Sequence, residues 1–333
     1  MTDASKPRVA IVVPCHIPLS EAWVAALKAE ADAYGAQVVI VDDSDGKLGD
    51  LPSNWDILDY KIQEEFLGEL YEDFARLFHK NSACRVVGHI WAYAQGYDVV
   101  LGLDSDCIVK THFIRDHLLL VGKDYGCDWF NPIGHPFYSR GFPYSKRNWE
   151  VVANMGLWEN VLDINGADRK DYEPKDIKLA GTTIPAAHFP FSGMNFSLAK
   201  KAIPFFLFIP NFDNGDGAKF RRVDDIWGGY IFQKFMREKK WSASVGYPVV
   251  YHDTVVVPEE DAADEKAMYD HEDEFIKAVD RSFAGFSSEE WSTIGEGWAA
   301  FLSEFNVFSS DRIEPMRYAI KWWVRVCDKY FTE

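Results

Sequence analysis

The stretch Val99-Val100-Leu101-Gly102-Leu103-Asp104-Ser105-Asp106-Cys107-Ile108-Val109 constrains this chain more than any other part of its sequence. An apolar run of that length reads as a buried strand. Two carboxylates one residue apart interrupt it, and charges in such a place must be paired or must bind a cation. A hard divalent cation takes oxygen ligands and keeps waters, so two close carboxylates plus a diphosphate suit Mg2+ or Mn2+. Asp is also common in the turn after a strand. The position of the motif in the fold therefore decides between the two readings.

The flanking sequence supplies that position. Arg8 to Val13 is an apolar run stopped by Pro14, and Ser20 can cap a helix with Trp23, Leu27 and Tyr34 inward and Gly35 at its end. Gln37 to Val41 reads as a second strand, Trp55 to Ile62 as a third, Asn81 to Gln95 as a helix and Asp98 to Leu103 as the next strand. Alternating strands and helices predict an α/β fold: a Rossmann-like, mostly parallel sheet flanked by helices. Ligands in such sheets bind beyond the carboxyl ends of the strands. Asp42-Asp43 and Asp104/Asp106 both fall at such ends and are expected to converge on one crevice.

Further on, residues 126–200 are rich in aromatics, Gly and Pro and are expected to form a loop-rich acceptor or sugar region. Val223 to Arg237 reads as a helix opened by acids and Trp241 to His252 as a returning strand. Pro258 to Asp280 reads as an acidic, solvated helix, and Glu314 to Phe331 as an amphipathic helix with Met316, Ile320, Trp323, Val324, Cys327 and Phe331 on one side. The expected organisation is an α/β catalytic domain over 1–255 and a C-terminal helical extension over 256–333 packed on it.

The 333 residues are 47% hydrophobic, enough for a sizeable core. A formal net charge of −17 argues against a nucleic-acid partner. The five cysteines match neither a zinc site nor a disulfide framework and read as reduced thiols. No run approaches the roughly 20 apolar residues of a membrane span, so a cytoplasmic protein is expected.

Each candidate residue has a chemical and a plain structural reading. Asp43 can bind a nucleotide base or ribose, or shape a turn. Arg85 can neutralise phosphate or pair with an Asp of the D-x-D. Asp224 and Asp225 can act as a base or stabilise an oxocarbenium ion, and acids also cap helix N-termini. His252 can complete a metal shell or be structural. Arg140 and Arg147 flank the aromatic turn Gly141-Phe142-Pro143-Tyr144-Ser145-Lys146, one suited to a diphosphate and one to a sugar, or both plain surface charge. Phe189-Pro190-Phe191-Ser192-Gly193-Met194-Asn195 reads as a sugar-facing loop with Asn195 as its amide.

Over roughly residues 8–255 the chain resembles the reversibly glycosylated polypeptides, or UDP-arabinopyranose mutases. KNSACR (Lys80 to Arg85), LDSDC (Leu103 to Cys107), RGFPYSKR (Arg140 to Arg147), GLW (Gly156 to Trp158), TIP (Thr183 to Pro185), FPFSGMNFSL (Phe189 to Leu198), RRVDDIWGGY (Arg221 to Tyr230) and YPVVYHD (Tyr247 to Asp253) match family segments in order. Ser105 stands where the family has a third Asp.

The resemblance implies a GT-A nucleotide-sugar fold and Mn2+ or Mg2+ on Asp104 and Asp106. It also implies a UDP-sugar substrate interconverted between pyranose and furanose forms, and a homo-oligomeric assembly. It puts reversible glycosylation on Arg140 and a second essential guanidinium on Arg147. A glycosyltransferase with a separate acceptor and a non-catalytic nucleotide-sugar-binding subunit are the competing readings. A haloacid-dehalogenase-type phosphatase is disfavoured, because its D-x-D would have to follow the first strand.

Overall fold

Strand β1 (Val9–Cys15) divides its side chains between two hydrophobic clusters: Val9, Ile11, Val13 and Cys15 on one face, Ala10 and Val12 on the other. A period of two with both faces buried means a strand covered by helices on both sides. The coordinates, a computed structural model, describe residues 6–131, 133, 135–169, 181–185, 188–213, 219–287, 291–305 and 314–331.

After β1, helix α1 (Glu21–Tyr34) is capped by Ser20, whose side chain accepts from the Trp23 N–H, and ends at Gly35 in the left-handed region. β2 (Gln37–Asp42) follows. β3 is shorter than expected, Asp56–Leu58, because Asp59 caps a new helix, α2 (Tyr60–Leu67), which takes Ile62 out of the strand. Helix α3 (Tyr71–Phe78), a 3₁₀ turn (Ser82–Arg85) and α4 (Val86–Ala94) lead to β4 (Val99–Leu103). β5 (Cys107–Ile108) and α5 (Phe113–His117) come next.

The region expected to be loops supplies two inner strands instead: β6 (Glu150–Asn160) and β7 (Asn195–Ala199), with α6 (Gly166–Arg169) between them. A small hairpin, β8 (Phe212–Asp213) with β9 (Lys219–Phe220), precedes α7 (Asp224–Glu238) and β10 (Trp241–His252). Helices α8 (Pro258–Ser282), α9 (Ile294–Glu304) and α10 (Glu314–Tyr330) complete the chain.

The eight-stranded sheet runs β3-β2-β1-β4-β7-β6-β10-β5. Four neighbouring pairs are parallel, and β7 and β5 run against their neighbours. This is the expected mostly parallel α/β sheet with a C-terminal helical layer. The carboxyl ends of β1, β2, β4, β6 and β10 therefore share one end of the sheet with the start of β7. Gly102 of β4 is required where β7 crosses it, since a Cβ there would lie 2.0 Å from the Phe196 ring.

Helices α1 and α5 cover one face, and α2–α4 and α7–α10 the other. The C-terminal helices share a cluster with the sheet: Trp298 and Trp323 both donate to Pro204 O (2.8 and 3.0 Å), and Trp322 donates to Leu70 O (3.0 Å). Buried indoles need such acceptors. Helix α8 is not wholly solvated as expected; Glu265, Met268, Phe275, Ala278 and Val279 are buried. All five cysteines are free thiols. No helix among the described residues is long and apolar enough to cross a membrane.

Candidate functional site

Beyond the shared carboxyl ends lies a cavity of about 530 Å³. Asp104 leaves β4 with its N–H donating to Met194 O (2.9 Å), and Cys107 N–H closes a turn onto Asp104 O (3.0 Å). β5 pairs Cys107 with His252 of β10, and Asp253 N–H donates to Asp106 O (2.8 Å). Two flanking strands thus fix the Asp104-Ser105-Asp106 turn from both sides.

Arg85 is buried and places Nη2 2.8 Å from Asp104 Oδ1. Its Nε donates to Ser82 O (3.0 Å), its Nη1 donates to Gly193 O, and its guanidinium lies over Phe208, 5.1 Å from the ring centre. Its donors are therefore committed to holding Asp104 and the backbone around it. Burial pushes the Asp104 carboxyl up to about 6 against the pull of Arg85, with repulsion from Asp106 and Asp224 adding to the rise.

His252 Nε2 lies 3.3 Å from Asp106 Oδ2, and its Nδ1 donates to Val161 O (2.7 Å). Burial lowers the imidazole's basicity, yet the Asp106 contact wins and holds it above its ordinary value. Burial likewise raises Asp106, and the same contact outweighs it and holds the carboxyl low.

Helix α7 brings in the second acidic pair. Ser82 Oγ donates to Asp224 Oδ2 (2.7 Å), and Gly193 N–H to Asp225 Oδ2 (2.6 Å). Burial and repulsion from Asp224 push the Asp225 carboxyl well above the usual range. Arg222, in the left-handed region at φ 55, meets three carboxylates: Asp261 (2.8 Å), Glu265 (3.2 Å) and Asp163 (3.4 Å). It ties the loop after β6 to α8 at the start of α7.

The structure brings Asp104, Asp106, Arg85, Asp224, Asp225 and His252 into the lining of one cavity. Other expected residues lie elsewhere. Asp43 is at the same end of the sheet but outside the lining; it accepts from Tyr60 Oη (2.8 Å) and the Lys80 N–H. Asn195 is fully buried, and its amide donates to Leu157 O (2.9 Å) and Pro248 O (3.0 Å) while accepting from His117 Nε2 (2.8 Å). It clamps three strands rather than facing a sugar.

Arg140 is exposed. Arg147 is folded into its own loop, donating to Phe142 O and lying 4.0 Å from the Tyr144 ring centre and 4.9 Å from that of Tyr138. Their segment precedes β6, whose eleven residues run towards the cleft. At about 3.3 Å per residue the two ends of that strand are roughly 33 Å apart.

Sequence reasoning missed Asp163, Arg169, Arg222, Asp261 and Glu265, all in the lining. The only signal was Arg222, inside the quoted segment before Asp224. The acidic face of α8 reads as solvated because the cleft it lines is itself polar.

The sequence profile of a family described as reversibly glycosylated polypeptide matches residues 6–294. UDP-arabinopyranose mutase 3 of Arabidopsis thaliana is 25% identical over 233 residues, 65% of this chain and 63% of that one. UDP-arabinopyranose mutase 1 of the same plant is 27% identical over 195 residues, 52% of each chain. The chain thus spans about half to three-fifths of the length of these curated relatives. Among solved structures, glucosyl-3-phosphoglycerate synthase from Mycobacterium tuberculosis, in complex with Mn2+, UDP and phosphoglyceric acid, aligns over 91% of this chain and 80% of that one. The TM-score is 0.42 and the identity 11%.

Proposed function

Since the chain belongs to the reversibly glycosylated polypeptide family, we propose that it is a metal-dependent nucleotide-sugar enzyme, a UDP-arabinopyranose mutase that interconverts pyranose and furanose forms. The observation that carries this reading is the meeting of Asp104, Asp106 and His252 with Asp224 and Asp225 in one cleft. The names of the relatives supply the substrate.

The donor set fits a divalent ion. Two carboxylates and an imidazole suit Mn2+ or Mg2+, and Asp106 and His252 already face each other at 3.3 Å. Among the described residues no three acidic, His or Cys side chains form a ready-made cage. Diphosphate and water would complete the shell. When bound, the ion would neutralise the diphosphate as the bond to the anomeric carbon breaks.

The protein's own residues do the rest. Arg85 keeps Asp104 in place. Asp224, anchored by Ser82, puts negative charge beside a sugar that becomes oxocarbenium-like. Asp225, whose carboxyl burial pushes up, is the group placed to exchange a proton with a sugar oxygen. The reaction is redox-neutral: the C1–O bond to the diphosphate breaks, the ring bond C1–O5 is exchanged for C1–O4 as the hydroxyl proton passes from O4 to O5, and the C1–O bond to the diphosphate re-forms. Incubation with UDP-arabinopyranose and Mn2+, without acceptor, is expected to yield UDP-arabinofuranose by chromatography. Failure to do so removes the mutase reading.

A second reading is transfer to a separate acceptor. It is favoured by the position of Arg140 at the far end of β6, away from the cleft of its own chain. Self-glycosylation on Arg140 predicts a sugar-mass adduct in the intact protein that disappears in Arg140→Ala. Turnover that requires an added acceptor, with no adduct, selects transfer.

A further inference from the structure

Arg169 closes α6, between the loop after β6 and α8, and lines the same cavity as Asp104. It is only 7% exposed. One donor, on Nη2, goes to Leu162 O, and its Nε has no hydrogen-bond partner among the described residues. Among the described residues no carboxylate pairs with it, although seven carboxylates line the same cavity. The other two guanidiniums there are committed: Arg85 to Asp104 and backbone carbonyls, Arg222 to three carboxylates.

A guanidinium cannot shed its proton, and burying it unpaired is costly. The fold retains this cost where the cavity wall is accessible to a ligand, so the missing partner is an anion that arrives from outside. We propose that Arg169 is the cleft's anion-binding residue and that it takes the diphosphate of the nucleotide-sugar. This rests on the nucleotide-sugar reading above. A diphosphate entering a cleft with seven carboxylates needs a cation besides a metal ion, and the Arg140–Arg147 segment does not line that cleft. A planar fork also suits two phosphate oxygens at once.

The test is calorimetric titration of inorganic pyrophosphate and, separately, UDP, with Mn2+ throughout, into the full chain and its Arg169→Gln and Arg169→Lys variants. Circular dichroism and thermal melts check folding. Pyrophosphate affinity is expected to fall about 10- to 100-fold in Arg169→Gln, with partial recovery in Arg169→Lys, which keeps the charge without the fork. A purely packing role would give no such recovery.

Pyrophosphate binding equal in wild type and Arg169→Gln overturns the assignment, as does a wild type that does not bind pyrophosphate. Should Arg169→Gln fail to fold, Arg169→Lys decides: a several-fold loss supports the assignment and unchanged binding overturns it. A wild type that binds pyrophosphate but not UDP removes the uridine-nucleotide reading, while the Arg169 comparison still stands or falls on pyrophosphate alone.

Discussion

At the carboxyl ends of β4, β6 and β10 the accessible chemistry is acidic and tightly held: Asp104, Asp106, Asp163 and His252 each have a named partner. At the opposite end, the segment before β6 presents Phe130, Phe137 and Tyr144 to solvent at 76%, 69% and 85% exposure, with Arg140 among them. A reciprocal backbone pair between Gly126 and Trp149 ties that segment down. The contrast teaches that a motif acts through what converges on it. The D-x-D turn draws partners from Arg85 ahead of α4, from Met194 just before β7 and from His252 of β10, whereas Arg147 finds its partners within its own loop.

The contrast can be broken at its strongest point by Asp106→Asn. Mn2+-dependent turnover is expected to fall by at least about 100-fold, because a ligand and the His252 contact are lost together. Arg140→Ala is expected to leave UDP affinity, read by calorimetry, unchanged. Equal losses in the two variants would mean that both ends of the sheet serve one site.

A smaller effect is expected from Asn195→Leu. It strands Leu157 O and Pro248 O and removes the acceptor for His117, so urea unfolding should show a loss of about 2–4 kcal/mol. Unchanged stability would return Asn195 to the list of ligand-facing residues.

The pH dependence of folding sharpens the same point. Burial pushes His117 and His89 down to about 3, below the ordinary value of about 6.5 for an unfolded chain. The unfolded state binds more protons between those limits, so stability is full above pH 6.5 and is lost as pH falls towards 3. Each imidazole adds up to about 1.4 kcal/mol per pH unit. Stability flat over that window, measured by urea unfolding, would show these imidazoles to be solvated. The smallest effect belongs to the other end: Tyr144→Ser should shift stability by no more than about 0.5 kcal/mol.

Much of this architecture could be read from the sequence. The Ser20 cap, the Gly35 stop, β1, β2 and the strand leading into Asp104 all follow local rules that tertiary context did not override. β6 and β7 escaped because buried polar residues, Asn154, Asn195 and Ser197, break their apolar patterns, and the two amides among them are spent on bonds between strands. Helix α2 escaped because Asp59 starts it one residue after a strand ends. The site divided in the same way. Carboxylates at strand ends were legible because topology fixes where such ends go. Arg169 and Glu265 were not, because their roles depend on α6 meeting α8, a contact no local pattern encodes.

Helix α8 supplies Asp261, Glu265, Met268 and Tyr269 to the cavity, and its outer turns face water. Strand-end positions are bound by pairing rules and close packing, and a helix flank is not. Natural variation can therefore recut the shape and charge of the pocket through a few α8 side chains, leaving the Asp104–Asp106 turn intact, and a chain shortened near residue 255 would forfeit the wall of the cavity that α8 supplies.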